Sequence, residues 1–487
     1  MPRARPQHCS LPAPGRRAAR SLVLALVLAL GSCSDADPAP SPTGTSVLCI
    51  VVDSLRADAL GSYGNTLPIT PRVDELARDG TRFELAHATA PWTQPSVGSM
   101  LTGLYPTAHG VTSLGRKLPR KLETLPEILQ QDGYATGAVV SHGLISDRYH
   151  FEQGFDVFDQ DHARGHQYVS TDGVTERAVQ YLRRFARRAE PFFLFVHYFD
   201  PHYEYRDRPE LDHAPPRAGR LNGSRTIWEL RALLEDMTPE EVGFLRARYE
   251  EEVQATDRGI GVLLAELDAL GRAGDTLVVF TADHGEEFLA HGWLGHTRTL
   301  YQELVRVPLI ARGPGVPAGR VVREPVSLVS LAPTLLEWLG LEHRDRGFHG
   351  DSLAPLLRGE APERSGAVAF TEVDFVGRQR RDKDAHKKAV TGERWKLIRD
   401  DVTGRVELYD LEVDPDELDD VADARPEVVA ELLSALELHL AALGAGAAHA
   451  EETELSAEEL AELSALGYTE SAGEEPPGDG GRPPAGD

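Results

Sequence analysis

The chain of 487 residues carries 51 Lys and Arg residues against 77 Asp and Glu residues, a formal net charge of -26. Its 41% of hydrophobic residues suffices for a large core, which excludes a wholly disordered chain. The acidic excess disfavours nucleic acid or anionic lipid as the main partner, and 3 cysteines cannot form a disulfide framework. These quantities are typical of a large acidic protein of the size of an enzyme, with room for two or three domains of about 150 residues or for one large core with a satellite.

The first 32 residues have the layout of a secretory signal peptide. A basic stretch precedes an apolar run at 22–30, which is shorter than the roughly 20 residues that a membrane-spanning helix needs. The segment resembles a bacterial lipoprotein signal, which implies that Cys33 is acylated and becomes the mature N-terminus; an ordinary cleaved signal is the alternative. Residues 33–45, rich in Pro, Ser and Asp, are expected to form a tether. We therefore expect an exported lipoprotein, anchored in the membrane through Cys33 and facing the periplasm or the cell exterior.

Four apolar runs, at 47–52, 138–140, 192–196 and 277–280, each end abruptly in polar residues. Continuous rather than alternating apolar runs predict strands that are buried on both faces of a largely parallel sheet. In such sheets ligands bind at the carboxyl ends of the strands. The polar residues that follow the four runs are Asp53, Ser141, His142, His197, Asp200, His202, Asp283 and His284. The sheet should therefore gather residues that are far apart in the sequence into one site.

Helical stretches are predicted between and after these runs, at 73–79, 122–132, 172–188, 239–270 and 328–339. The alternation of strands and helices predicts the α/β class, with a central, mostly parallel sheet sandwiched by helices.

The pattern changes at about residue 365. Short strand candidates follow at 368–373, 388–391, 395–399 and 406–411, and then a helix at 426–443. We expect a catalytic domain at 46–365 and a C-terminal α+β subdomain at 366–445, with a small antiparallel sheet and a helix. Residues 446–487 are expected to be an acidic, mostly disordered tail, in which 455–468 could form one more short helix.

A series of motifs in this chain resembles the sulfatase family of the alkaline phosphatase superfamily. In order, the motifs are Asp53-Ser54-Leu55-Arg56, Ala90-Pro91-Trp92-Thr93-Gln94-Pro95-Ser96, Leu101-Thr102-Gly103, Asp200-Pro201-His202, Thr281-Ala282-Asp283-His284-Gly285-Glu286, Gly295-His296-Thr297 and Leu408-Tyr409-Asp410-Leu411. They extend over about residues 46–445, and several motifs in a fixed order are far more specific than any one alone. The resemblance implies an alkaline phosphatase-like fold and the hydrolysis of an anionic sulfate or phosphate ester.

The nucleophile motif departs from the family pattern. Family sulfatases have Cys-x-Pro-Ser-Arg, whose Cys is oxidised to formylglycine, whereas this chain has Thr93-Gln94-Pro95-Ser96-Val97. No formylglycine can form, and the resemblance to related phosphodiesterases and phosphoglycerol or phosphoethanolamine transferases implies that Thr93 is itself the nucleophile. Pro95 predicts a helix that starts just after Thr93, whose exposed amides would face an oxyanion. Ser96 is an alternative nucleophile, and a simple helix cap is an alternative role for Thr93.

Asp53, Asp283 and His284 match the family's metal positions, and Thr93 would be a further oxygen ligand of one divalent cation. A threonine hydroxyl is a poor nucleophile, so such a cation would supply the activation that it needs. The family's usual Asp-Asp pair is here Asp53-Ser54, and its later Asp-Asn pair is here Asp283-His284. Fewer oxygens and one nitrogen make calcium less suited, and Mg, Mn and Zn stay open.

His202 and His296 match residues that lie on the substrate side in the family. Either could be the general acid that protonates the leaving oxygen. A Lys-x-His motif of the family falls near Ser141-His142-Gly143, where it is degraded, so we assign His142 no role.

Three functions are compatible with these residues. The first is a lipid-tethered, metal-dependent hydrolase of an anionic ester, the second a transferase of a phosphoryl-linked headgroup, and the third a non-catalytic binding lipoprotein. The substrate of the hydrolase stays open at this point. A formylglycine sulfate releases sulfate by collapse of its hydrated aldehyde, whereas a threonine ester must be cleaved by a second attack. This requirement favours a phosphate or phosphonate ester as the substrate. The overall resemblance to sulfatases favours a sulfate ester.

Overall fold

A computed structural model of the chain describes residues 44–469, apart from 164–170, 189, 206–207, 209, 212–214, 216, 222–224, 362, 365, 377–384, 445–447 and 449. The predicted signal peptide, Cys33, nearly all of the tether and residues 470–487 lie outside these described residues, so export and the lipid anchor stay predictions. Within the described part of the chain, no helix combines the length and the hydropathy needed to cross a membrane.

Strands and helices alternate through most of the chain. The strands are β1 (Ser46–Val52), β2 (Thr81–His87), β3 (Ala135–Val139), β4 (Val157–Asp159), β5 (Phe192–Tyr198), β6 (Thr276–Ala282), β7 (Glu287–Phe288), β8 (Leu294–Gly295), β9 (Arg306–Arg312), β10 (Arg320–Val322), β11 (Val326–Ser327), β12 (Ala369–Phe375), β13 (Ala385–Thr391), β14 (Trp395–Asp400) and β15 (Val406–Asp410). The α-helices are α1 (Pro71–Arg78), α2 (Thr93–Thr102), α3 (Pro106–His109), α4 (Leu125–Gln131), α5 (Thr171–Ala186), α6 (Ile227–Arg231), α7 (Pro239–Ala269), α8 (Gln302–Val305), α9 (Leu331–Trp338), α10 (Ala354–Arg358), α11 (Pro426–Gly444) and α12 (Ala457–Ala465).

The main sheet has the strand order β10-β2-β9-β6-β1-β5-β3-β4, and β11 also pairs with β2. Its central strands β6, β1, β5 and β3 run parallel, whereas β9 runs antiparallel to both β6 and β2. Every residue of β1, β5 and β6 is buried, as the continuous apolar runs predict for strands covered on both faces. The predicted fold, a mostly parallel sheet with helices, is confirmed.

The smaller sheet is antiparallel, in the order β12-β13-β14-β15. Helix α11 packs on it, and the shared apolar cluster contains Val390, Leu397 and Leu408 from the strands with Leu432 and Leu436 from the helix. This confirms the predicted C-terminal sheet and helix, while the domain boundaries themselves stay predictions.

Within the predicted tail from residue 446, residues 450–469 have a defined structure. This segment contains helix α12, which begins with a capping box between Ser456 and Glu459, and it ends with Tyr468 buried inside the protein. Composition alone did not predict this, because apolar residues at Leu455, Leu463 and Tyr468 are spaced widely among acids and gain their burial only from tertiary contacts. The short helix that the sequence suggests at 455–468 is present at Ala457–Ala465.

A buried ion pair joins the smaller sheet to a neighbouring loop. Lys396 Nζ in β14 lies 2.7 Å from Glu417 Oε1, and both side chains have no exposed surface. Removing one partner of such a pair leaves the other charge buried and uncompensated. We therefore expect Lys396→Met to lower the free energy of unfolding by about 3–5 kcal/mol, measured by urea denaturation.

A matched control is the exposed pair of Arg78 and Asp79, whose side chains keep 66% and 45% of their surface exposed. We expect Arg78→Met to change the free energy of unfolding by less than about 1 kcal/mol. The double variant Lys396→Met/Glu417→Gln should recover part of the loss, because it removes the unpaired carboxylate. Equal effects of the two single variants would contradict the role given to burial.

Candidate active site

The ends of three neighbouring strands bring the acidic residues together. In the parallel pairing of β1 with β6, Val52 lies opposite Ala282, so Asp53 and Asp283 follow at the same level. The backbone amide of Asp53 donates to the carbonyl of Tyr198 at the end of β5 (2.9 Å). Both carboxylates are fully buried. The predicted gathering of distant residues at this edge of the sheet is therefore present.

Thr93 is the first residue of helix α2, one position before the predicted start. Its hydroxyl oxygen lies 3.5 Å from Asp53 Oδ2 and 3.3 Å from His284 Nε2. Pro95 fits the first turn of this helix, where its missing amide hydrogen is not needed. The hydroxyl of Ser96 is instead engaged, donating to the carbonyl of Asp283 (2.6 Å), which is a structural contact. Thr93 is thus the hydroxyl that points at the acidic cluster.

His284 is oriented by two backbone contacts. Its amide donates to Asp283 Oδ1 (2.8 Å), and its ring Nδ1 lies 2.8 Å from the carbonyl of Gly285. A carbonyl only accepts, so the proton is on Nδ1 and the lone pair is on Nε2. That Nε2 lies 3.5 Å from Asp53 Oδ1 and 3.7 Å from Asp283 Oδ2. The ring therefore has the tautomer that a metal ligand requires.

The donor set of Asp53, Asp283 and His284 fits a divalent cation, and one ligand atom from each lies within 4.8 Å of the others. Asp283 Oδ2 and His197 Nε2 lie 3.6 Å apart and are buried without a hydrogen-bond partner among the described residues. Burial, reinforced by the charge of Asp283, raises the pKa of Asp53 well above its ordinary range. A cation would compensate these like charges and satisfy the orphaned atoms.

Ser54 shows what replaces the second carboxylate of the family pattern. Its hydroxyl donates to Asp53 Oδ1 (3.0 Å) and its amide donates to Asp283 Oδ1 (3.2 Å). The amide can reach Asp283 because Ser54 has a left-handed backbone with φ of 54°. Ser54 therefore orients the two carboxylates, and the site carries one negative charge less than an Asp-Asp pair would give it.

His202 and His296 lie beside this cluster and are buried. His296 is close to both of the others, with its ring centroid 4.9 Å from that of His202 and 4.5 Å from that of His284. His202 Nδ1 lies 2.8 Å from the carbonyl of Tyr203, so this nitrogen carries a proton. Burial, with the charge of Arg231 adding to it, lowers the pKa of His296 to about 3. The structure brings all the predicted site residues together, while their chemical roles stay predictions.

Several residues at the site were not among the predicted site residues. His197, one of the polar residues that follow the apolar runs, was given no role, and its Nε2 lies 3.6 Å from Asp283 Oδ2. Glu286 Oε1 lies 3.0 Å from His296 Nδ1, and burial raises the pKa of Glu286 to about 8. Tyr468 reaches the site from the C-terminal segment, and no sequence signal indicated it.

Among the residues that the structure describes, two other groups of side chains have the spacing of metal ligands. In the first, Asp53, His142 and His202 lie together, but His142 Nδ1 accepts a hydrogen bond from the amide of Leu144 (3.1 Å). Its proton is therefore on Nε2, the tautomer that cannot bind a cation through that atom.

The second group lies in the loop after β6. It consists of Glu287, His291 and Glu303. Here His291 is already held on both sides, by Glu303 Oε1 (2.7 Å) and by the carbonyl of Glu417 (3.0 Å). Its two ring nitrogens both face acceptors, so this group is explained by hydrogen bonding within the protein.

The fold and the site together define an α/β protein with a hydroxyl at a helix start beside acidic strand ends, at the edge of the sheet where such proteins bind ligands. The Sulfatase family model matches residues 45–341, and the model for the C-terminal part of N-sulphoglucosamine sulphohydrolase matches residues 289–444. The chain belongs to the sulfatase family, within the alkaline phosphatase superfamily, and is an ester-bond hydrolase.

Characterised relatives share about a quarter of their residues with this chain. An ulvan-active sulfatase of Formosa agariphila is 28% identical over 369 residues, which are 69% of each chain. An N-acetylglucosamine-6-O-sulfatase of Bacteroides thetaiotaomicron is 25% identical over 466 residues, covering 77% of this chain and 82% of that protein.

Solved structures show the same fold. A complex with D-glucosamine-2-N,6-O-disulfate as substrate has a TM-score of 0.68 at 23% identity, covering 82% of this chain and 98% of the other. The phosphonate monoester hydrolase of Agrobacterium radiobacter has a TM-score of 0.66 at 25% identity, covering 82% of this chain and 95% of the other.

Proposed function

We propose that this enzyme is a metal-dependent hydrolase in which Thr93 attacks the phosphorus or sulfur of an anionic ester. The observation that carries the proposal is the position of the Thr93 hydroxyl, 3.3 Å from His284 Nε2 and 3.5 Å from Asp53. A hydroxyl at this place, beside ligands for a cation and at the start of a helix, is where an activated nucleophile is needed.

Asp53, Asp283, His284 and Thr93 are the residues that would hold the cation. When bound, a divalent cation would favour the ionised form of the Thr93 hydroxyl and neutralise charge on the ester oxygens. One imidazole and only two carboxylates favour Mg, Mn or Zn over calcium, which prefers a larger set of oxygens. His197 is a further nitrogen that faces this position.

The reaction has two halves. In the first, the oxygen of Thr93 forms a bond to phosphorus or sulfur while the bond to the leaving oxygen breaks, and the proton of Thr93 ends on the leaving oxygen. In the second, water attacks the Thr93 ester, releases phosphate or sulfate, and returns one proton to Thr93. His202 and His296, whose ring centroids lie 4.9 Å apart beside the carboxylates, are the candidates to accept and pass on these protons.

The threonine nucleophile favours a phosphate or phosphonate ester over a sulfate ester. A formylglycine sulfate collapses by expelling sulfate from a hydrated aldehyde, whereas a threonine ester must be cleaved by a second attack at the central atom. The likeness to a phosphonate monoester hydrolase agrees with this preference. Sulfate esters of glycans are the second candidate, because relatives of this chain are an ulvan-active sulfatase and an N-acetylglucosamine-6-O-sulfatase.

A panel of esters with a common leaving group tests the proposal. Metal-loaded protein is assayed with 4-nitrophenyl sulfate, 4-nitrophenyl phosphate, bis(4-nitrophenyl) phosphate and a 4-nitrophenyl phosphonate, followed by glucosamine 6-sulfate. We expect kcat/KM for one of the phosphorus esters to exceed that for the aryl sulfate by at least about tenfold, or 1.4 kcal/mol. Preference for the sulfates would establish the second candidate, and no turnover of any ester would contradict both.

A further inference from the structure

Residues 450–469, called the C-terminal strap below, return to the catalytic domain after the smaller sheet. At the start of the strap the amide of Lys117 donates to the carbonyl of Glu451 (3.0 Å), and the amide of Thr453 donates to the carbonyl of Gly115 (2.8 Å). These two bonds place the strap beside the loop that follows helix α3.

The end of the strap is fixed by two side chains from helix α6. The indole N–H of Trp228 donates to the carbonyl of Ser464 (2.7 Å), and Arg231 Nη1 donates to the carbonyl of Gly467 (2.9 Å). Because Gly467 directly precedes Tyr468, these contacts determine where the phenol points.

The side chain of Tyr468 enters the active site. The residue is only 4% exposed, and its hydroxyl lies 3.2 Å from His296 Nε2 and 3.4 Å from His142 Nε2. Burial raises the pKa of the phenol well above its ordinary value, the charge of Asp53 adds to this, and the hydroxyl of Thr93 opposes it. A tyrosine hydroxyl is protonated at neutral pH, so Tyr468 can donate a hydrogen bond within the site.

The direction of its hydrogen bonds follows from the neighbouring backbone. The amide of Leu144 donates to His142 Nδ1, so the proton of His142 is on Nε2 and is donated to the oxygen of Tyr468. The O–H of the phenol then faces His296 Nε2 (3.2 Å), whose other ring nitrogen, Nδ1, lies 3.0 Å from Glu286 Oε1. In this arrangement Tyr468 accepts a hydrogen bond from His142 and has its own O–H to donate to a neighbouring acceptor.

We propose that Tyr468 is an active-site residue whose hydroxyl donates a hydrogen bond to the leaving oxygen of the bound ester. The assignment rests on the proposed function, with Thr93 as the nucleophile. In an in-line displacement the leaving oxygen lies on the side of the reacting atom away from the nucleophile. The hydroxyl of Tyr468 lies 3.2 Å from Nε2 of His296, one of the two histidines proposed to serve the leaving oxygen, so the strap supplies a donor beside that histidine.

Binding of the ester changes only the acceptor of this hydrogen bond. The O–H of Tyr468 turns from His296 Nε2 to the leaving oxygen, while His142 Nε2 continues to donate to the phenol oxygen. Tyr468 neither gains nor loses a proton, and the donated hydrogen bond strengthens as negative charge develops on the leaving oxygen.

The variant Tyr468→Phe tests this assignment, because it removes the hydroxyl and keeps the buried ring. We expect kcat for an alkyl ester to fall about 100-fold with little change in KM, since a hydrogen bond that matters in the transition state is lost. For the 4-nitrophenyl ester of the same acid we expect a fall of less than about fivefold, because 4-nitrophenolate departs without a donor. A structural defect would lower kcat for both esters equally.

Tyr63→Phe is the matched control, since Tyr63 also has a buried hydroxyl, which donates to the carbonyl of Phe83 (2.9 Å) outside the site. Its kinetics should equal those of the wild type, and thermal unfolding shows whether both variants are folded. The assignment would be overturned if Tyr468→Phe lowered kcat equally for both esters or left kcat unchanged. It would also be overturned if Tyr468→Phe raised kcat, because the phenol would then obstruct the reaction. If Thr93→Ala loses activity while Tyr468→Phe keeps the wild-type kcat, only the role of Tyr468 is refuted. If the wild type turns over no ester, the proposed function itself is refuted.

Discussion

Replacing Thr93 with alanine is expected to lower kcat by at least about 10⁴-fold, because the hydroxyl that forms the covalent intermediate is then absent. The measurement is turnover of the best ester of the panel by metal-loaded protein, together with mass spectrometry of the quenched wild type. We expect a phosphoryl or sulfuryl adduct on the peptide that contains Thr93, and none in the variant.

Two neighbouring variants control for this change. Thr93→Ser keeps the hydroxyl and should retain measurable turnover, with loss of the methyl group as the only difference. Ser96→Ala removes a hydroxyl that donates to the carbonyl of Asp283 and should cost a modest part of the activity. If Ser96→Ala abolished the adduct and Thr93→Ala did not, Ser96 would be the nucleophile.

Replacing Asp53 with asparagine is expected to have opposite effects on the metal-free and the metal-loaded protein. In the metal-free protein Asp53 is buried beside Asp283 and its pKa is raised well above its ordinary value of 3.8, so its ionised form destabilises the fold at neutral pH. The metal-free variant should therefore be the more stable one at pH 7. The wild type should gain stability as the pH falls toward 3.8, and the variant should lack that gain.

Addition of the cation should make the wild type more stable than Asp53→Asn. At 100 times its dissociation constant a ligand stabilises a protein by about 2.7 kcal/mol, which we expect for the wild type. The metal affinity of the variant should fall more than about 100-fold, because replacing a residue that only supports a metal ligand already lowers metal affinity about 10- to 100-fold. Titration calorimetry and thermal unfolding with Mg²⁺, Mn²⁺, Zn²⁺ and Ca²⁺ measure both effects.

Asp257→Asn provides the matched control for Asp53→Asn. Asp257 is also a buried acid with a raised pKa, but it accepts hydrogen bonds from the amides of Arg72 and Val73 at the start of helix α1. Its replacement should change stability without changing the response to cations. Wild-type metal affinity in Asp53→Asn would contradict the assignment of Asp53 as a ligand.

The strand ends are the part of this site that could be predicted from the sequence. Asp53 and Asp283 each follow an apolar run, and parallel strands place such positions at one edge of the sheet. Thr93 was identified by its place in a motif, and Pro95 indicated the helix start close to where α2 begins. These signals lie within short stretches of the sequence, so they can be read without knowledge of the fold.

Other features of the site depend on contacts that no local pattern contains. Tyr468 lies in an acidic segment whose composition is typical of a disordered tail, and tertiary contacts such as those of Trp228 and Arg231 fix its place. The proton positions of His142 and His284 depend on a backbone amide and a backbone carbonyl, respectively. Residue types alone do not determine which ring nitrogen faces which backbone group.

The C-terminal strap lies outside the residues that either family model matches, 45–341 and 289–444. Thr93 and the carboxylates lie within the matched residues, whereas Tyr468 lies beyond them. If Tyr468 contacts the leaving oxygen, changing this segment would alter which alcohol is released while Thr93 and the strand ends stay unchanged. For protein engineering, residues 450–469 become the place to graft or shorten when a different alcohol is to be released.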